Sequence, residues 1–300
     1  MVIRVIIYIL LYLSTTAPAY ADRASQQLIA DLTFLSSPTL QGRQTNTLGA
    51  IKSAEFITRR FTELGYTAKS QKFEYTRGFF SSATGNNIIA DLKTHTHTTP
   101  LLVITAHYDH LGMKGRKLFP GANDNASGVS ALLYLAMTLQ ATPPEFNVIF
   151  VATDAEENGL HGSEFLVNQL PTDVTVLNIN LDMLAVKASK PILYAFTPHK
   201  HKQHVKSLSK QAKKNTIKVR VSSSNKQMHR YINDNRIDWR KASDHYSFAK
   251  AKIPFVYFGM GADRNHHKAT DTIENIDQAR YIDTVVYIES FIRQLDFIAF

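Results

Sequence analysis

The chain has 300 residues, is 44% hydrophobic, carries a formal net charge of +9 at pH 7 and contains no cysteine. That length builds one good-sized domain with a substantial core, and the lack of thiols excludes a disulfide scaffold. Lys and Arg are scattered, densest over Lys200–Lys218, and no nucleic-acid-binding motif accompanies them. The positive charge therefore reads as a solvated basic face, with no nucleic-acid partner.

Residues 1–21 resemble a secretory signal peptide. Arg4 gives a short basic start, Val5–Leu13 is almost wholly apolar, and Ala19-Tyr20-Ala21 offers small residues at a cleavage site after Ala21. The apolar run is too short to span a bilayer comfortably. The pattern predicts export to the periplasm or beyond the cell, with no stable membrane anchor after cleavage. Removing residues 1–21, which carry Arg4 and no acid, lowers the formal charge from +9 to +8. Residues 22–300 have no internal repeat and no linker, and read as a single domain.

Periodicity predicts helices over 24–35 and 50–64, the second ending at Gly65, and SSPTLQGRQT between them reads as a loop. Strands follow at 67–75 and 87–92. His95 and His97 fall in a hairpin loop where solvation outweighs metal binding. LLVITA (101–106) is an apolar run of the kind buried on both faces, and it ends in His107-Tyr108-Asp109-His110. A loop with Gly112, Gly115 and Pro120 leads to Gly121-Ala-Asn-Asp-Asn-Ala-Ser-Gly128 and a helix over 127–140. A second buried strand, FNVIFVAT, runs straight into Asp154, Glu156 and Glu157, with a helix starting at EFLVNQL. Strand 174–181 ends in Asp182, and strand 192–196 precedes a basic amphipathic helix over 201–214, on which His199, His201 and His204 read as solvated. Strand 217–221, a polar irregular stretch over 222–241, strand 253–258, a loop carrying His266 and His267, and a closing helix from Ile276 complete the chain. Alternating strands and helices imply an α/β fold: a three-layer α/β/α sandwich with a mixed, mostly parallel central sheet.

Ligands of open α/β sheets bind beyond the carboxyl ends of the strands. Five such ends or adjacent loops carry candidate metal ligands: His107, Asp124, Glu157, Asp182 and His267. Histidine and carboxylate without thiolate suit catalytic zinc. Divided between two ions, the set gives each one histidine and one terminal carboxylate, with one carboxylate shared. A paired-metal site serves both water activation and carbonyl polarisation. Glu156, beside a ligand glutamate, supplies a base, and Asp109 is placed to orient the His107 imidazole.

These residues resemble the co-catalytic dizinc aminopeptidases, the zinc metallopeptidase family that also contains glutamate carboxypeptidase and the glutaminyl cyclases, in its exported bacterial leucyl-type form. The matching motifs are His107-Tyr-Asp-His110, Gly121–Gly128, Asp154-Ala-Glu-Glu-Asn-Gly-Leu-His-Gly-Ser163, Asn180-Leu-Asp-Met183, Ser243-Asp-His245 and His267-x-x-x-Asp-Thr272. The resemblance implies an eight-stranded mixed sheet and two zinc ions. One ion takes His107 and Asp182, the other Glu157 and His267, and Asp124 bridges them. Glu156 is implied as general base and acid, with Asp109 as the partner of His107. The implied reaction is hydrolysis of N-terminal residues from peptides with a free N-terminus. The alternatives are a single-zinc glutaminyl cyclase reaction on the same fold, or an inactive peptide-binding relative. The family pattern ends in tyrosine followed by His-Thr-Pro-x-Asp-Thr. Here His266 takes the tyrosine position, and counting back from Asp271-Thr272 assigns the ligand to His267. His110 and His161 read as structural or supporting groups, and Asp244 and His245 as possible cleft residues.

Overall fold

The computed structural model describes residues 20–300 apart from 78–80, 93–94, 97, 189–191 and 213–216. The signal-peptide reading up to residue 19, His97, and Lys213 and Lys214 at the end of the basic helix lie outside the described residues. In chain order the elements are helix α1 (20–35), α2 (Leu48–Glu63), β1 (Lys69–Arg77), β2 (Ser81–Leu92), β3 (Leu101–His107), β4 (Gly112–Lys114), β5 (Lys117–Phe119), α3 (Ser127–Ala141), β6 (Asn147–Thr153), α4 (His161–Val167), β7 (Val176–Leu181), β8 (Ile192–Phe196), α5 (Lys202–Gln211), β9 (Lys218–Ser222), α6 (Asn225–Ile232), α7 (His245–Lys250), β10 (Phe255–Gly259) and α8 (Gln278–Ile292).

Eight strands form one mixed sheet in the order β1-β2-β6-β3-β7-β10-β8-β9. The four central strands β6, β3, β7 and β10 run parallel, and every residue of each is buried. Alternation along these strands divides the core into two faces. Leu102, Ile104, Val148, Phe150, Leu177 and Ile179 point to a face covered by α1, α2, α3, α5 and α8. Leu101, Val103, Ile149, Val151 and Val176 point to the other, where Leu166 of α4 and Phe248 of α7 cover them. A third cluster joins Tyr194, Phe196, Phe255 and Tyr257 to Met228 of α6 and to Trp239. The result is the three-layer α/β/α sandwich, and it brings the carboxyl ends of β3, β6, β7 and β10 to one edge.

Several elements differ from the sequence reading. The loop after β3 contains the β4–β5 hairpin, turned by Gly115 at φ 62°. The stretch over 222–241 contains α6, whose Ser224 side chain accepts from Gln227 N and caps the first turn, while Asn233 at φ 57° ends the helix. The closing helix stops at Ile292, and α7 follows directly after Asp244. His201 and His204 are not solvated: their rings pack on Phe300 at centroid distances of 5.2 and 4.9 Å. No described helix is long and apolar enough to cross a membrane.

Candidate active site

The five candidate ligands, Glu156 and Asp109 converge on this edge. Glu156 and Glu157 follow β6, Asp182 follows β7 directly, and His107 is the last residue of β3. Asp124 lies in a tight turn (Ala122–Ala126) leading into α3, with non-helical φ/ψ of −107°/95°. His267 comes from the loop after β10. A cavity of about 180 Å³ opens here, floored by His107, Asp124, Glu156, Glu157 and Asp182, with His266 and His267 at its rim and Ile237, Trp239 and Tyr257 in its wall.

Asp124 is the hub. His107 Nε2 lies 3.5 Å from Asp124 Oδ1 and 3.5 Å from Asp182 Oδ1. On the other side, His267 Nε2 lies 3.3 Å from Asp124 Oδ2 and 3.2 Å from Glu157 Oε2. His266 Nε2 also lies 3.3 Å from Asp124 Oδ2 but makes no ion pair with Glu157 among the described residues. Three donor groups able to hold a metal share Asp124: with His107 and Asp182, with His110 and Glu157, and with His266 and His267. Asp124 Oδ2 and Asp182 Oδ1 are buried without a hydrogen-bond donor of acceptable geometry. Buried carboxylate oxygens of this kind require a cation or a proton. Imidazole nitrogens and carboxylate oxygens within ligand reach of one another, and no thiolate, fit zinc.

The electrostatics follow from this crowding. Burial alone would raise the Glu157 carboxyl, but His110 and His267 pull it down to about 2, and His110 with His266 and His267 holds Asp124 well below the usual carboxylate range. His267, facing the carboxylates of Asp124 and Glu157 at 3.3 and 3.2 Å, is pushed up to about 10. Burial, together with Asp244, Asp182 and Glu157, raises the Glu156 carboxyl well above its ordinary value, against the pull of His107.

The supporting groups are specific. Asp109 accepts from Glu156 N at Oδ1 and from Glu157 N at Oδ2, both at 3.1 Å, and from Thr45 Oγ1 at 3.2 Å. Its backbone oxygen lies 3.2 Å from His107 Nδ1, and its Oδ1 3.7 Å away. One residue therefore fixes the His107 ring and the Glu156-Glu157 turn together. His110 Nδ1 bonds Glu157 Oε1 at 2.9 Å, and the His161 ring stacks on Tyr75. Asp244 is buried and accepts from Thr153 Oγ1 at 2.5 Å. His245 is not among the residues lining the cavity: it is fully buried, packed on Phe255 and Tyr257, with Nε2 2.9 Å from Trp239 O.

Other residues received no role from the sequence. Asp271, used there only to count register, accepts from Asn123 N at 2.8 Å and Asp124 N at 3.0 Å and so holds the Asp124 turn. Asp154 accepts from Thr45 Oγ1, Ala155 N, Asn86 N and Tyr108 Oη, and burial beside Asp109 pushes its carboxyl up to about 7. Ile237 and Trp239 bring apolar surface to the cavity from a stretch that reads as polar. The pairing Ser224-x-x-Gln227 is a capping signal that would have found the preceding helix.

The family described as Peptidase family M28 matches residues 87–290. The chain is 32% identical over 192 residues to the alkaline phosphatase isozyme conversion protein of Escherichia coli, covering 57% of this chain and 53% of that protein. It is 31% identical over 214 residues to aminopeptidase YwaD of Bacillus subtilis, covering 67% of this chain and 42% of that one. It thus spans about half, or less, of the length of these curated relatives. Its fold is that of the zinc aminopeptidase BSAP from Bacillus subtilis, with a TM-score of 0.73 at 18% identity over 91% of this chain and 97% of that one. Glutaminyl cyclases, with TM-scores of 0.66 and 0.69, share the same fold. With the family match running over two thirds of its length, the chain belongs to peptidase family M28.

Proposed function

We propose that this chain is an exported aminopeptidase that uses two zinc ions to remove N-terminal residues from peptides. The observation that carries the reading is the position of Asp124, whose two oxygens face separate donor sets, His107 with Asp182 and Glu157 with His267. In this reading His107, Asp182 and Asp124 would hold one ion, and Glu157, His267 and Asp124 would hold the other. Zinc, when bound, supplies Lewis-acid polarisation of the scissile carbonyl and lowers the pKa of water. Glu156 accepts the proton of the attacking water at its carboxylate and returns it to the leaving amine. Asp109 keeps His107 and the Glu156-Glu157 turn in place. The acidic floor of the cavity receives the cationic N-terminus, and Ile237, Trp239 and Ala242 in its wall favour an apolar first side chain.

Export rests on the pattern of residues 1–21, with residues 22–300 as a single catalytic domain in the periplasm or medium. Ala24, Leu28, Leu32 and Leu35, the core face of α1, all follow the expected cleavage site, so the mature chain keeps that helix's packing.

The test is hydrolysis of a panel of aminoacyl chromogenic amides, free and N-acetylated, with metal content measured on the same sample. Cleavage of the free-amine substrates alone, led by leucyl and other apolar residues, with close to two zinc ions per chain, is the expected result. No cleavage, together with cyclisation of a glutamine-initiated peptide and one zinc per chain, would replace this reading with a glutaminyl cyclase.

A further inference from the structure

Among the described residues one arginine is fully buried, and no described carboxylate forms an ion pair with its guanidinium. Arg43 has 0% exposure, in a stretch that reads from sequence as a loop. Its five N–H donors meet five backbone carbonyls. Nε donates to Tyr108 O at 2.8 Å. Nη1 donates to Leu35 O and Pro120 O, both at 2.6 Å, and Nη2 to Gly121 O at 2.9 Å and Asp124 O at 3.4 Å. That saturates the donor capacity of the side chain.

The acceptors are not scattered. Tyr108 sits between His107 and Asp109. Pro120, Gly121 and Asp124 belong to the turn that presents the hub carboxylate, and Leu35 ends α1. The same loop is stitched to the β3 exit through its backbone, His110 N donating to Arg43 O at 3.3 Å and Gly112 N to Gly42 O at 2.9 Å. The backbone is committed to this arrangement: Gln41, Gly42 and Arg43 all have positive φ, of 50°, 70° and 52°. Such a run in L-residues is unfavourable and persists only where surrounding contacts impose it. Gly42 admits no side chain, since a Cβ there would lie 2.3 Å from Phe119 O.

We propose that Arg43 is a positioning residue for the metal centre, its guanidinium fixing the separation between the His107 segment and the Asp124 turn so that both present ligand atoms to one ion. The proposal rests on the reading of His107 and Asp124 as ligands. The fork is what matters, because the carbonyls come from three separate segments. A lysine offers three donors from a single point and cannot span them. Burial draws the Arg43 pKa down to about 10, while the charges of Asp271, Asp124, Asp109 and Glu157 act to raise it.

The experiment compares wild type, Arg43→Lys and Arg43→Met for zinc affinity, by competition with a chelator of known affinity, alongside thermal unfolding, the visible spectrum of the cobalt-substituted protein, and separate kcat and KM. Folded Arg43→Lys is expected to bind zinc at least about tenfold more weakly, the scale on which groups supporting metal ligands act. Its cobalt spectrum should be altered, and kcat should fall at nearly constant KM. A purely structural role would lower the unfolding temperature and leave the zinc affinity and cobalt spectrum of the folded protein unchanged, and that result overturns the proposal. So does restoration of wild-type affinity by lysine. Should neither variant fold, the Nε–H resonance of Arg43 in the wild-type protein carries the test: it is expected to shift when zinc is added to the metal-free protein, and an unmoved resonance overturns the proposal. If wild type itself binds no zinc, the ligand assignment fails and the failure is not that of Arg43.

Discussion

Glu156 differs from every other acid in the cavity floor: among the described residues no histidine lies within ion-pair distance of its carboxylate, while Asp124, Glu157 and Asp182 each have one within 3.5 Å. A group free to take and return a proton suits a general base, and Glu156→Gln removes that capacity with little disturbance of its neighbours. Turnover is expected to fall by about 10²–10⁴-fold with zinc content unchanged, measured on leucyl amides beside metal analysis. A fully active variant would assign the base elsewhere. The adjacent histidines separate on the same kind of measurement. Only His267 reaches both Asp124 and Glu157, whereas His266 reaches Asp124 alone. His267→Ala is therefore expected to lose about one zinc per chain, with His266→Ala retaining both. The reverse pattern would shift the motif's register by one residue. At this scale, residues that the fold gathers at one edge were visible in the sequence by type and spacing, as with His107, Asp109, Asp124 and Glu157. Arg43 and Asp271 were not, because their roles depend largely on backbone groups 65 to 148 positions away, Leu35 O at 8 positions being the exception.

The elements that carry the site were legible for a different reason. β3 and β6 are near-continuous apolar runs, the mark that burial on both faces leaves whatever the surroundings, while β7 alternates apolar residues with Asn178 and Asn180. Helix α6 was hidden because Met228 alone of its residues is fully buried, with Tyr231 and Ile232 partly buried on the same cluster, in a short stretch rich in polar residues. Tertiary packing, rather than pattern, makes it a helix, with Ser224 closing its first turn. That gives α6 an outsized influence on the cleft, because the chain runs from its C-terminus through Ile237 to Trp239, and Met228 packs in the same cluster as Trp239. Ser224→Ala is expected to cost about 1 kcal/mol. Its functional effect should be local: a raised KM for leucyl substrates with kcat and zinc content preserved. Chemical denaturation and steady-state kinetics on the same preparation check this, and an unchanged KM would separate α6 from the substrate wall.

At the scale of the molecule, the parallel centre of the sheet gathers histidines and carboxylates at one edge, while the periphery determines how that edge responds to solution conditions. His245 illustrates the coupling. It lies one position beyond Asp244, is fully buried between Phe255 and Tyr257, and uses Nε2 on Trp239 O while Nδ1 has no partner among the described residues. Burial lowers its pKa to about 4 from the ordinary 6.5. The unfolded chain then binds the proton more readily between those values, so stability rises with pH across that window. The contribution is complete above about pH 6.5 and is lost as pH falls toward 4, amounting to about 3 kcal/mol at most. Carboxyls such as Asp271, raised to about 6 mainly by burial, act in the opposite sense over part of the same range. The informative quantity is accordingly the difference between wild type and His245→Gln, whose amide can still donate to Trp239 O but does not titrate. Unfolding free energies measured from pH 7 to pH 4 should show wild type losing ground to this variant as the pH drops. Parallel curves would mean that His245 takes up its proton without unfolding, through a path to solvent that its packing between Phe255 and Tyr257 does not provide.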